Sequence, residues 1–401
     1  MTKKKVTTLV AATLLMSAAL ISLADAVVIP LQGAIKQTFA KTPGIDLLSN
    51  YVLVFNALFI AIGATFVGLL LERFSKRAVF LVSLSLYGIS GTAGFYLNDI
   101  YLLIASRAFM GLSTAGIMTT FYTLIADYYP EEKRGRFLGL ANGVSLWGSV
   151  VFLYVVAPLA AKSWHHPFAL YGIGFLVLIT AMISIFDMPK EAPATEATTE
   201  NISTPSYPKG LVILIYSIVF VSITLVSLTF TKLQDIVFVR FSNNLFYLIN
   251  AIAIFLASGA TSSMFVYTRI KQYLHFQLVY VVIFIAIAIG FFLMGKTNSY
   301  PVFLIGCSIA GLGYGFVAPN TSLWLMHITP PALVGRFMGF FTTLFFLAIF
   351  VSPNITAVVL SYTNISNTFL IYGVVLLVLS IGLLFHGLIL SKKDKATTET
   401  A

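Results

Sequence analysis

Charge is the scarcest property of this 401-residue sequence, in which 9% of the residues are charged and 59% are hydrophobic. Soluble globular domains average about 25% charged residues, and a chain of this length could not bury so much apolar surface in its own core. A water-soluble globular protein is therefore excluded. Cysteine is nearly absent as well. The single Cys307 excludes an internal disulfide, and because it lies in an apolar run we expect it to pack as a small buried residue.

Patterns typical of enzymes and ATP-driven pumps are also missing. No Walker phosphate-binding loop occurs, which argues against ATP-driven pumping by this chain. The five histidines have no metal-ligand spacing, and no set of nucleophile, base and metal ligands converges near one surface. We therefore expect no enzyme activity, no catalytic residue, no metal and no cofactor.

The sequence does contain a series of apolar runs of about 18 to 27 residues, each long enough to cross a hydrocarbon core of roughly 30 Å as a helix. We therefore predict an all-α polytopic membrane protein with twelve transmembrane helices. The predicted spans are 7–32, 47–71, 79–97, 101–126, 137–160, 168–187, 210–233, 244–267, 277–295, 301–327, 337–361 and 367–390.

Composition and an internal repeat predict two halves. Residues 188–209 are rich in Pro, Thr, Glu and Ala, which cannot form a core and predict a flexible cytoplasmic linker. The linker separates an N-terminal six-helix half, 1–187, from a C-terminal half, 210–390, which a tail at 391–401 follows. The segment "PEEKRGRFLG" from Pro130 recurs as "PPALVGRFMG" from Pro330, an offset of 200 residues. Such duplicated halves place a substrate site between them at the bilayer midplane.

Most of the 24 Lys and Arg residues lie in one alternating set of loops and tails, which the positive-inside rule places in the cytoplasm. Both termini and the linker are thus predicted to be cytoplasmic, as expected for the inner membrane of a bacterium. Ala24-Asp25-Ala26 imitates a signal-peptide cleavage site, but we expect the first span to be retained because cleavage would invert this charge bias. The net charge of +10 is explained by contact with anionic membrane lipids, so no nucleic-acid partner is expected.

Two charged features depart from this apolar background. The loop "GLLLERFSKR" after the second span contains four charges, and a positively charged anchor for a short turn would explain it without a further role. Arg107 alone of the basic residues lies inside a span away from its ends, where a charge costs roughly 2.5 to 3.5 kcal/mol and normally faces a cavity or a partner. Snorkelling of its side chain to the nearer surface is the alternative.

Asp25 is the natural partner for Arg107. Both residues lie about 9 to 10 Å below the predicted outer surface on spans that run in opposite directions. Desolvation raises the proton affinity of a carboxylate and a nearby guanidinium lowers it, and a proton carrier requires a balance of the two.

The charged loop resembles the signature of the major facilitator superfamily of twelve-span secondary transporters. Gly68, Glu72, Arg73, Lys76 and Arg77 match it, whereas Ser75 replaces the second glycine and suggests a different turn. The resemblance implies a cytoplasmic gate in which the acid of the loop faces the start of the eleventh span. Lys76 or Arg77 would pair with an acid that ends the fourth span. The remaining residues of this gate are Asp127 and Arg336.

The resemblance also bears on transport. Drug/proton antiporters of this superfamily often carry an acid in the first span shortly before a proline, as Asp25 precedes Pro30, which implies that Asp25 carries the coupling proton and Arg107 tunes it. Their fifth span contains a Gly- and Pro-rich pattern, but Val144 stands here where proline is expected. The prediction is proton-coupled efflux of a drug or metabolite, with multidrug antiport included. Proton-coupled uptake of a small organic nutrient and a non-transporting sensor remain alternatives.

Further polar and aromatic residues within the spans could shape a substrate cavity, although most would serve equally as hydrogen bonds between helices or as interfacial aromatics. A small-molecule substrate, protons and membrane lipids are the expected partners of a monomer. Lys232, Asp235 and Arg240 are predicted to be charges on the outer rim. The cavity candidates are Gln32, Asn56, Asn142, Trp147, Tyr314, Asn320 and Trp324.

Overall fold

The computed structural model describes residues 7–28, 31–188, 207–241 and 245–399, and within this part of the chain every regular element is a helix. The first group comprises α1 (Thr8–Ala26), α2 (Gln32–Thr38), α3 (Ile45–Arg73), α4 (Lys76–Ala93), α5 (Ile100–Tyr128), α6 (Glu131–Lys162), a 3-10 helix (His166–Gly172) and α7 (Ile173–Ser184). The second comprises α8 (Lys209–Arg240), α9 (Leu245–Thr261), a π-helical segment (Ser262–Val266), α10 (Tyr267–Tyr273), α11 (Phe276–Lys296), α12 (Tyr300–Ile328), a 3-10 turn (Pro331–Leu333), α13 (Val334–Tyr362) and α14 (Ile365–Glu399).

Each of the twelve predicted spans overlaps at least one of these helices. Ten helical stretches in the described residues are long and apolar enough to cross a membrane, and α1 adds a shorter apolar helix. The prediction of an all-α polytopic membrane fold is therefore confirmed.

The first span is shorter than the predicted range 7–32, because α1 ends at Ala26 and the short helix α2 begins at Gln32. Proline explains the end of α1: Pro30 has no N–H to donate to the carbonyl of Ala26 four residues earlier, and it disfavours helical backbone in the residue before it. A second unpredicted interruption is the π-helical segment between α9 and α10, at Ser262–Val266.

The 200-residue offset of the sequence repeat recurs in the helices themselves. For example, α3 and α9 begin at Ile45 and Leu245, and α5 and α12 begin at Ile100 and Tyr300. A glycine pair shows the same relation: a Cβ on Gly111 would lie 2.5 Å from the carbonyl oxygen of Asn56 in α3, and a Cβ on Gly311 would clash with the carbonyl oxygen of Phe255 in α9. Each glycine thus permits close packing of two equivalent helices.

The helices group into two compact units. The first unit comprises the described residues of Met1–Arg134, Leu159–Ser217 and Ser322–Phe346, and the second those of Gly135–Pro158, Ile218–Thr321 and Leu347–Ala401. The division of the chain at the linker 188–209 stays a prediction, and residues 189–206 of that linker lie outside the described part of the chain.

Candidate functional site

The charged loop between α3 and α4 is a short turn that Ser75 closes. Ser75 has φ −61° and ψ 129°, and its hydroxyl accepts a hydrogen bond from the backbone N–H of Ala78 at 3.2 Å. The residue therefore serves as the N-cap of α4. Because this turn needs no positive φ, serine fits the position where the superfamily signature has glycine.

Two basic residues of the loop form hydrogen bonds with different acidic residues. Lys76 Nζ lies 2.8 and 2.7 Å from the two carboxylate oxygens of Asp127 at the end of α5. Arg77 instead contacts the end of α7 and the residues after it. Its guanidinium donates to the carbonyl of Met182 in the last turns of α7 at 2.8 Å, and its backbone N–H donates to Asp187 at 3.0 Å. Of the two candidates, Lys76 pairs with Asp127. Sequence analysis missed Asp187, although an acid as the last residue of the predicted span 168–187, on the side of the basic loops, is a usable signal.

The end of α3 packs against the first turns of α13. A Cβ on Gly68 would lie 2.9 Å from the carbonyl oxygen of Gly335 and 3.3 Å from the Cα of Arg336. One turn earlier, the hydroxyls of Thr65 and Thr343 are 2.8 Å apart. Glu72 is exposed at the end of this contact and forms no ion pair within the described part of the chain. Its role opposite the start of α13, like the roles of Arg73 and Arg336, stays a prediction.

A further polar contact joins the same set of helix ends. His327 Nδ1, in the last turn of α12, contacts the carboxylate of Glu131 in the first turn of α6. His327 stands 200 residues after Asp127, so the two repeats place residues of different charge at equivalent helix ends.

Arg107 is fully buried, with a relative exposure of 0%. Its terminal nitrogens donate to the carbonyls of Ser90 and Gly91 at 3.2 and 3.3 Å, in the last turn of α4, and to the hydroxyl of Tyr171 at 3.2 Å. The guanidinium carbon also lies 5.1 Å from the ring centroids of Phe168 and Tyr171, within cation–π range. The snorkelling alternative is thus wrong, because the side chain is held inside the helix packing rather than at a surface.

Tyr171 links Arg107 to the first span. Its hydroxyl, which accepts from Arg107, donates to the backbone carbonyl of Ala24 at 3.0 Å. Ala24 directly precedes Asp25, whose own side chain lies outside the described residues. The pairing of Asp25 with Arg107 stays a prediction.

The cavity candidates occupy several environments. Asn56, Asn320 and Trp324 are buried, whereas Trp147 is 40% exposed. The ring of Tyr314 packs against Phe230 and Phe255, with centroids 5.8 and 5.3 Å away. The side chain of Gln32 lies outside the described residues. Cavity roles for these residues stay predictions.

Asn142 has a defined polar environment in α6. Its Nδ2 group donates to the carbonyl of Gly315 in α12 at 3.0 Å and to the hydroxyl of Ser263 in the π-helical segment at 3.1 Å. Around it, a Cβ on Gly139 would lie 2.6 Å from the carbonyl oxygen of Ser263, and a Cβ on Gly143 would lie 2.9 Å from that of Ala260. Gly139 and Gly143 therefore permit α6 to pack closely on α9 and the π-helical segment.

Arg240 was predicted to be a rim charge, and the structure gives it a more specific role. Its guanidinium, at the end of α8, donates to the carbonyls of Met294, Gly295 and Thr297 at 3.0, 2.6 and 2.8 Å, and it also contacts the hydroxyl of Ser366. These carbonyls belong to the end of α11, so Arg240 caps that helix. Lys232 and Asp235 form the ion pair expected of exposed charges, at 3.0 Å.

Comparison with known proteins gives one family over most of the chain. The family model described as Major Facilitator Superfamily matches residues 14–353 and 277–400. The niacin transporter NiaP of Acinetobacter baylyi is 30% identical over 150 residues, which cover 36% of this chain and 33% of that protein. The 4-hydroxybenzoate transporter PcaK of Pseudomonas aeruginosa is 28% identical over 166 residues, which cover 40% and 36%. The matched region thus spans about a third of the length of these curated relatives.

Solved structures match nearly the full chain at low sequence identity. The human organic anion transporter MFSD10 superimposes with a TM-score of 0.78 and 17% identity, covering 94% of this chain and 99% of that one. The proton:xylose symporter XylE gives a TM-score of 0.74 and 14% identity, covering 94% of each chain. At these identities the likeness shows the fold alone.

Proposed function

This chain belongs to the Major Facilitator Superfamily, whose model matches most of its length, and from this membership we propose that it is a secondary active transporter of a bacterial inner membrane. It moves a small organic metabolite by alternating access, coupled to protons, in the direction of uptake. The observation that carries this proposal is the family match together with curated relatives named for the transport of niacin, 4-hydroxybenzoate and myo-inositol. Val144 in the fifth span supports uptake, because it departs from the antiporter pattern.

The direction and the solute are tested together in oriented proteoliposomes. Radiolabelled niacin, 4-hydroxybenzoate and myo-inositol are offered outside, with the exterior acidic, the interior acidic, or no pH gradient. Proton symport predicts accumulation only when the exterior is acidic. Accumulation driven by an acidic interior would instead support antiport, the second candidate, which Asp25 shortly before Pro30 favours. If none of the three solutes is transported but one of them raises the thermal stability of the protein, the result would support a sensor.

The coupling proton is assigned to Asp25, with Arg107 as the residue that tunes it. The support is the hydrogen-bonded path from Arg107 through Tyr171 to the carbonyl of Ala24, next to Asp25. We expect Asp25→Asn to abolish proton-driven accumulation and to spare solute binding or exchange, because the amide cannot carry a proton. Asp99→Asn is the matched control, since this exposed N-cap carboxylate of α5 should leave coupling unchanged. Purified Asp25→Asn that still accumulates solute from a pH gradient would contradict the assignment.

The charged loop is proposed as a cytoplasmic latch that favours the state closed on that side. Glu72 follows Leu71, whose Cβ would lie 3.3 Å from a Cβ on Gly335 at the start of α13, where a helix N-terminus favours an acid. Glu72→Gln should therefore shift the population towards the state open to the cytoplasm while leaving the fold intact. Distance measurements between labels on the cytoplasmic helix ends check this. An unchanged population with normal transport would reduce the loop to a topology anchor.

A further inference from the structure

The hydrogen-bond ladder of α12 (Tyr300–Ile328) is interrupted inside the helix by Pro319. Proline has no N–H, so the carbonyl of Gly315, four residues earlier, lacks the backbone donor that an α-helix would supply. In a hydrocarbon environment a freed carbonyl must find another partner within the protein or in a water-filled cavity. Pro319 therefore creates a specific demand for a donor at Gly315.

Asn142 meets that demand from another helix. It lies eleven residues into α6, about 16 Å from the start of the helix, and its Nδ2 group donates to the Gly315 carbonyl at 3.0 Å. The second N–H of the same amide donates to Ser263 at 3.1 Å, so both donors of this half-buried side chain are used. The partner of the freed carbonyl is thus a side chain on α6, far away in sequence.

The helix between them is interrupted at the same place. The π-helical segment Ser262–Val266 replaces regular α-helix beside this contact, and Ser263 donates to the carbonyl of Gly139 in α6 at 2.9 Å. Ser262 donates to the carbonyl of Leu312 in α12 at 2.8 Å. π-Helical segments of this kind occur frequently at functional sites. Two irregular helices and the glycine face of α6 therefore meet through side-chain hydrogen bonds, which can exchange with water without unfolding a helix.

We propose that the hydrogen bond between Asn142 and Gly315 is a conformational switch contact, in which the freed carbonyl of Gly315 keeps a protein donor only while α6 lies against α12. The inference rests on the proposed alternating-access function and adds the residues that bias it. When α6 separates from α12, the Gly315 carbonyl passes to water or to a donor on the solute. Loss of the Asn142 donor weakens the preference for the packed state, and restoration of the backbone donor in α12 makes the hydrogen bond from Asn142 to Gly315 dispensable.

A double-mutant cycle tests this coupling directly. The only cysteine, Cys307, is fully buried, so spin labels can be placed at Lys133 and Tyr273, two exposed positions at the ends of α6 and α10. Pulsed distance measurements are made on the purified full chain without solute or pH gradient. Asn142→Ala should raise the population ratio of longer to shorter distances by about threefold to tenfold, the effect of one membrane-buried hydrogen bond. In the Pro319→Ala background, the same substitution should have a clearly smaller effect, because only the hydrogen bond to Ser263 is then lost without replacement.

The matched control is Tyr154→Phe, which removes a 3.0 Å hydrogen bond from α6 to Asn250 in α9 that involves no freed backbone carbonyl. Its effect should be the same with Pro319 and with Pro319→Ala. If Pro319→Ala does not fold, Pro319→Gly restores the same N–H and takes its place in the cycle. Equal effects of Asn142→Ala in both backgrounds, or no effect in either, would overturn the proposal. Because no transport is measured, either result leaves the uptake assay to decide the proposed function separately.

Discussion

The carboxyl-terminal ends of α4 and α11 are equivalent in the two repeats, yet different helices supply the arginine that caps them. In the first unit, Arg107 of α5 donates to the carbonyls of Ser90 and Gly91. In the second unit, Arg240 of α8 donates to those of Met294 and Gly295 and to the following Thr297. In both repeats the carbonyls at the end of this helix need a donor, and an arginine supplies it. The two arginines, however, lie on helices that are not equivalent in the repeats.

The demand has a simple physical origin. The last four carbonyls of a helix have no partner within it, and near the hydrocarbon they cannot rely on water. A guanidinium meets the demand well, because it offers five N–H donors and its charge opposes the negative end of the helix dipole. Arg134 does the same for α5, donating to the carbonyls of Ala126 and Tyr129 at 2.6 and 2.9 Å. Helix capping is thus a recurrent use of arginine in this protein.

The two caps differ in their surroundings. Arg107 is fully buried against the rings of Phe168 and Tyr171, whereas Arg240 is half-buried. Water can replace Arg240 at α11 more readily than it can replace Arg107 at α4. This difference also bears on proton coupling, because capping alone explains why an arginine lies at position 107. A coupling role for Arg107 must therefore be tested by a property other than stability.

The largest effect is expected for Arg107→Ala. It leaves the carbonyls of Ser90 and Gly91 and the hydroxyl of Tyr171 in a buried space without their donor, so we expect a loss of about 3 kcal/mol in unfolding free energy. Thermal unfolding in detergent and the monodisperse fraction measure it. Arg107→Lys keeps the charge but only three donors, and it should recover part of the loss. Arg107→Ala with unchanged stability would show that α4 needs no cap.

A smaller effect is expected for Arg240→Ala. Water can reach the end of α11, so the loss should be about 1 to 2 kcal/mol in the same unfolding assay. Lys232→Ala is the matched control on α8, because its exposed ion pair with Asp235 should contribute less than about 1 kcal/mol. If Arg240→Ala costs as much as Arg107→Ala, burial does not distinguish the two caps and the comparison fails.

Much of this fold follows from the sequence, because its determinants are local. Apolar run length predicts a helix in each of the twelve spans, and the 200-residue offset between Pro130 and Pro330 reappears in the helix boundaries. The resemblance of the charged loop to the superfamily signature implied that Lys76 or Arg77 pairs with Asp127, and the structure selects Lys76. Proline chemistry could have placed the end of α1 at Ala26 had it been given more weight than hydropathy.

The partners of the polar side chains could not be predicted in the same way. The carbonyl that Arg240 or Asn142 contacts depends on how the helices pack and on their rotation about their axes. Hydropathy predicts neither of these. The capping role of Arg240 was missed for this reason, since an arginine at the end of a span reads equally as a rim charge. By contrast, the sequence does predict that the Gly315 carbonyl needs another donor, because Pro319 has no N–H to offer it. Only the donor's identity required the structure.

The smallest effect is expected for Cys307→Ala. Cys307 lies 200 residues after Arg107, is fully buried, and its sulfur is 3.4 Å from that of Met294 in α11, so it occupies the position of the first cap without a capping group. Removal of the thiol leaves a small apolar cavity and no unsatisfied carbonyl, and should cost about 1 kcal/mol. Thermal unfolding of Cys307→Ala beside Arg107→Ala and Arg240→Ala measures the ranking. If Cys307→Ala lowers the unfolding free energy as much as Arg107→Ala does, then packing at this position sets the loss, rather than donation to helix carbonyls. The interpretation of Arg107 as a helix cap would then be wrong.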